Sequence, residues 1–203
     1  MSPPVCPAMD EVKTVVSRDG TPIAYARYGT GAADGPAVVL VGGGPGTEAA
    51  EAPLARLLAR SCPVYVYDRR EDAAGCPVER EVEDLAAVLA AAGPRAAVHG
   101  SGSGGALALA AAAAGLPVAA VSVFEPPYDA TLGPLPEVHA RVLVVDGGAS
   151  PAPVRRAARE LSARLPRARH RTLTGQTHEV APHVLAPVLA EFVAEAAEAS
   201  DGL

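Results

Sequence analysis

Val98-His-Gly-Ser-Gly-Ser-Gly-Gly-Ala-Leu-Ala-Leu109 decides how the chain is read. An apolar run ends, glycines and serines turn the backbone, and an alanine-rich helix begins. Such a strand–turn–helix unit suits either a serine nucleophile on a tight turn or a phosphate against a helix N-terminus. Ser101 and Ser103 are the two hydroxyls on offer, with Gly100, Gly102, Gly104 and Gly105 around them.

Apolar runs and helical patterns alternate on both sides of this stretch. Residues 12–17 and 22–28 flank Asp19-Gly20, a hairpin signal. Ala37–Val41, Val64–Tyr67, Ala96–His99, Val118–Phe124, Val142–Val145 and Arg169–Leu173 read as strands. Residues 51–60, 79–92, 106 onwards, 153–164 and 182–198 read as helices, with Leu85, Val88 and Leu89 on one face of the second. Continuous apolar strands between helices predict an α/β fold, a mostly parallel twisted sheet with helices on both faces. Ligands of such sheets sit beyond the carboxyl ends of the strands. There lie the loop 42–46, Asp68, residues 100–105, Glu125, Asp146 and His178.

The length of 203 residues fits one domain over 11–203, preceded by a loose, proline-containing arm over 1–10. A net charge of -6 argues against nucleic-acid and anionic-membrane partners. Ala106–Phe124 carries no charge, but Gly115-Leu116-Pro117 breaks it, so it reads as a buried helix and strand and not as a membrane span. Cys6, Cys62 and Cys76 are too few for a disulfide framework, and with no leader pattern they suggest a reducing cytoplasm. No Cys/His spacing suggests a metal, and no cofactor is expected.

Four landmarks together resemble the α/β-hydrolase superfamily from about Val12 to the last helix. Gly42-Gly-Gly-Pro-Gly46 is similar to its oxyanion loop, with Gly42 where histidine usually stands. Tyr67-Asp-Arg-Arg70 resembles its strand-to-loop landmark, residues 100–105 fall at the nucleophile elbow, and His178 falls at the catalytic histidine. The elbow pattern G-x-S-x-G, aligned on Gly100 and Gly104, puts Gly102 at the nucleophile position; a shift of one residue puts Ser103 there. The resemblance implies an acid to orient His178. Its usual site lands on Ser150, so Glu125 is the first candidate and Asp146 the second. Residues 126–141 leave no room for a cap domain.

The expected site is therefore His178 with Glu125 or Asp146, beside Gly43, Gly44, Ser101, Gly102 and Ser103 as oxyanion and substrate contacts. Without a serine at the tip, this set suits removal of a proton next to a carbonyl: epimerisation, elimination, double-bond shift or cyclisation. The substrate would be a small molecule or peptide. A homo-oligomer or a partner enzyme stays open. Three other readings also stay open: a binding protein without catalysis, a serine esterase using Ser103, and a dinucleotide site. The last rests on Gly100, Gly102 and Gly105 as G-x-G-x-x-G, with Glu125 as the ribose acid.

Overall fold

The computed structural model describes residues 9–29, 36–43, 47–70, 75–127 and 138–201. Eight strands form one sheet: β1 (Met9–Val16), β2 (Pro22–Tyr28), β3 (Val38–Val41), β4 (Val64–Tyr67), β5 (Ala97–Ser101), β6 (Ala120–Phe124), β7 (Arg141–Gly147) and β8 (Ala168–Leu173). Their order is β1-β2-β4-β3-β5-β6-β7-β8. β1 and β2 run antiparallel to their neighbours; from β4 to β8 every pairing is parallel. The helices are α1 (Thr47–Leu58), α2 (Val78–Ala92), α3 (Ser103–Ala113), α4 (Ala152–Arg164) and α5 (Pro182–Asp201).

The apolar runs become the central strands because both faces of the sheet are covered. Val39, Val41, Val98, Val121, Val123 and Val144 pack under α2, α3 and α4. Val38, Leu40, Phe124, Leu143 and Val145 pack under α1 and α5. Truncating a fully buried leucine in either layer, Leu85 or Leu189, should cost about 2–5 kcal/mol. The alanines of α3 let that helix lie close to β5 and β6: a Cβ on Gly105 would already meet Val123 at 3.3 Å.

The structure shifts some expected boundaries. β1 begins at Met9, inside the expected arm; residues 1–8 lie outside the described chain. β6 begins at Ala120, because Val118 N–H turns back to Leu116 O and Ala119 N–H closes onto Ala96 O. α1 begins at Thr47, a turn earlier than its apolar spacing suggests. The Asp19-Gly20 hairpin forms as expected, with Ser17 N–H on Thr21 O at 2.8 Å and Gly20 at φ 90°. The β6–β7 connection is too short for a cap domain, and its residues 128–137 lie outside the described chain.

Candidate active site

Gly102 alone separates the end of β5 from the start of α3, so it forms the tip of the turn. Its backbone is at φ 54° and ψ -126°, a conformation that L side chains rarely adopt. The flanking glycines are needed for contact. A Cβ on Gly104 would lie 2.1 Å from Val41 O, and one on Gly100 2.3 Å from Gly104 O. Gly102 is different. Among the described residues, a Cβ there meets only the His178 ring, with Cε1 at 3.9 Å.

Glu125 follows β6, and its N–H donates to Val145 O at 3.0 Å. It is a non-glycine residue at φ 43°, which costs roughly 1–2 kcal/mol of backbone strain. Its buried carboxylate has both oxygens engaged. Oε1 accepts from Gly147 N–H at 2.9 Å, and Oε2 lies 3.0 Å from His178 Nδ1. The His178 side chain is 68% exposed above that 1% exposed carboxylate. A neutral ring donating from Nδ1 to Glu125 carries its lone pair on Nε2, beside the Cε1 that faces Gly102.

Asp146, the second acid candidate, is not part of this pair. It is fully buried, and its Oδ2 lies 3.0 Å from His170 Nε2. The reason is strand alternation. Asp146 projects to the same face as Val144, under α4, whereas Val145 projects to the layer under α1 and α5.

The two serines are placed differently. Ser103 Oγ donates to Gly43 O at 2.8 Å and accepts from Arg69 Nη1 at 2.9 Å. Arg69 also reaches Gly42 O at 3.3 Å and is held by Glu81 at 2.6 Å. Thus Ser103 ties the loop after β3 to the first turn of α3. The Ser103 N–H belongs to that first turn, a helix N-terminus that favours negative charge; Gly105 N–H in the same turn donates to Gly102 O at 3.0 Å. Gly43 is brought beside Ser103, with its Cβ direction 3.9 Å from Ser103 Oγ; Gly44 lies outside the described residues. Ser101 Oγ sits 3.4 Å from His99 Nε2, and His99 Nδ1 sits 3.2 Å from Ser122 Oγ. Burial pushes His99 down to about 4, so the ring is neutral near pH 7.

Sequence reasoning missed Arg69, Ser122 and the Gly147 N–H. Their partners are distant in the chain, and one is a backbone group. Only the place of Arg69 within the 67–70 landmark hinted at a role. Among the described residues no group of three or more His, Cys, Asp or Glu side chains is arranged to hold a metal. No described helix is long and apolar enough to cross a membrane.

Known proteins give the arrangement its family. The profile of the alpha/beta hydrolase family matches residues 38–202. An alpha/beta hydrolase from Sphaerobacter thermophilus is 38% identical, with 89% of this chain and 99% of that one covered and a TM-score of 0.79. A predicted CIB-like hydrolase from Thermoplasma acidophilum is 16% identical (92% and 98% covered, TM-score 0.77). Dienelactone hydrolase from Anabaena variabilis is 19% identical (92% and 96% covered, TM-score 0.76). These last two share the fold alone. No curated protein sequence matches. With profile, relative and sheet order in agreement, the chain belongs to the alpha/beta hydrolase family.

Proposed function

We propose that this protein uses the alpha/beta hydrolase fold without a serine nucleophile and works by general-base proton transfer on a carbonyl-bearing small molecule or peptide. One observation carries the reading: His178, paired with Glu125 at 3.0 Å, faces a tip residue that has no side chain. His178 Nε2 takes a proton from the carbon next to the carbonyl. The C–H electron pair moves into the enolate, whose oxygen is held by the Ser103 N–H and the α3 N-terminus. Glu125 offsets the charge of the imidazolium, and the proton returns to the same or another atom of the substrate. Epimerisation, elimination, double-bond shift and cyclisation share this step. Neither Ser103 nor a dinucleotide is favoured. The Ser103 hydroxyl is committed to Gly43 and Arg69, and both Glu125 oxygens are engaged away from any ribose.

The test is exchange in D2O. A panel of α-substituted carbonyl acids and thioesters is followed by NMR for loss of the α-proton signal. Exchange that disappears in His178→Ala, with no acyl adduct on the wild-type protein by mass spectrometry, supports the reading. Exchange unchanged in His178→Ala, or an acylated Ser101 or Ser103, defeats it. The 68% exposure of His178 favours a second reading, binding without turnover, because enolate chemistry benefits from a site closed to water. That reading predicts a saturable ligand whose α-proton never exchanges.

A further inference from the structure

The loop between β8 and α5 carries His178, and most of it is exposed: Thr174, Gly175, Thr177, His178 and Glu179 all face solvent. The contact to the buried Glu125 carboxylate holds one ring nitrogen of His178 and leaves the backbone of the loop to be fixed by other bonds. Gln176 is half-buried and makes three hydrogen bonds. Its N–H donates to Leu173 O at 3.2 Å, and its backbone carbonyl accepts from Ala149 N–H at 2.9 Å. Its side-chain Oε1 accepts from Ala181 N–H at 2.9 Å. The last bond spans His178 in sequence and closes residues 176–181 into a ring. Ala181 immediately precedes α5, where backbone N–H groups have no helical acceptor, so the amide oxygen acts as a cap.

The same residue ties the histidine to its acid. The Gln176 carbonyl rests on the end of β7, where a Cβ on Gly147 would meet it at 2.4 Å. The N–H of Gly147 holds Glu125 Oε1. One backbone turn thus registers both members of the pair: Gly147 on Glu125, Ala149 on the Gln176 loop. Glycine is required at 147 for the carbonyl to come so close.

We infer that Gln176 is the positioning residue of the site, holding His178 toward Gly102 through its side-chain bond to Ala181. This rests on the reading of His178 as a base that addresses position 102. The need is for an acceptor of glutamine length, so Gln176→Glu should serve and Gln176→Ala should not.

The experiment uses a reporter that requires no substrate. In Gly102→Cys, a thiol beside His178 is held partly as thiolate. Iodoacetamide should alkylate it at pH 6 about tenfold faster than when His178→Ala is added, measured peptide by peptide by mass spectrometry. Adding Gln176→Ala should remove most of that acceleration and return the pH profile to that of an ordinary thiol, with the melting temperature within a few degrees of the parent. Adding Gln176→Glu should keep the rate within about twofold of the parent. Equal rates and profiles with and without Gln176→Ala overturn the inference. So does a Gln176→Ala chain that fails to fold, since the role would then be structural. A parent thiol that His178→Ala leaves unchanged instead overturns the reading of His178 itself.

Discussion

Among the described residues, two histidine–carboxylate pairs have equal length. His178 lies 3.0 Å from Glu125, and His170 lies 3.0 Å from Asp146. Their surroundings differ. Glu125 has a second donor in Gly147 N–H, whereas Asp146 Oδ1 is buried without a partner among the described residues. His178 stands over the strand–helix turn and is largely exposed. His170 is 22% exposed on the edge strand. A pair distance does not make a site. The proposed site has, besides its pair, a fully satisfied acid and a ring that faces the tip at Gly102.

The largest expected effect tests that distinction directly. Gly102→Ser should turn a protein that a fluorophosphonate leaves unlabelled into one labelled stoichiometrically on the introduced hydroxyl, read by intact mass and peptide mapping. Adding His178→Ala should slow that labelling by about a hundredfold or more, and adding His170→Ala should leave it unchanged. Equal losses from the two histidines would erase the difference between the pairs.

Next come the acids. In the Gly102→Ser background, Glu125→Gln should slow labelling by about tenfold and alter its pH dependence, because the imidazolium loses its compensating charge. Asp146→Asn should keep the labelling rate and act on thermal stability alone. A slower reaction in Asp146→Asn would place that acid in the site after all.

His99 sharpens the comparison from a third side, as a buried histidine held by two serines and no carboxylate. Its pKa is about 4 folded, against 6.5 as the ordinary value. Between those values the unfolded chain binds a proton that the folded chain refuses. Its contribution is therefore complete above pH 6.5 and lost as pH falls toward 4, on the order of 3 kcal/mol in all. Melting curves of His99→Gln should fall less steeply than wild type across that window; parallel curves would refute the assignment.

The smallest effect is predicted at the tip. Gly102→Ala should cost only the roughly 1–2 kcal/mol of an L residue at positive φ, since its Cβ meets just His178. A loss of folding comparable to Gly104→Ala, whose Cβ would strike Val41 O, would show that the open space at Gly102 is not real.

Most of the fold was legible in the sequence because both cues are local. Apolar runs such as Val38–Val41 and Ala120–Phe124 announce buried parallel strands, and glycine spacing announces the turn at 100–105. The pairing of Glu125 with His178 was also legible, since each follows a strand end. Asp146 was ambiguous for a definite reason. Which face a side chain takes depends on register, and one residue of alternation sends Asp146 beneath α4. The commitment of Ser103 to Arg69 and Gly43 could not be read, as these partners are brought together only by the sheet order. Nor could Gln176, whose partners are backbone groups with no sequence signature.

The glycines around the tip have a consequence at the level of the gene. Gly100 and Gly104 keep the steric frame of the elbow intact, while the position between them has a free direction for a side chain. Glycine codons GGU and GGC become serine codons AGU and AGC by one transition. A lineage with either codon at position 102 can therefore exchange the proposed proton-transfer site for a nucleophilic one in a single step.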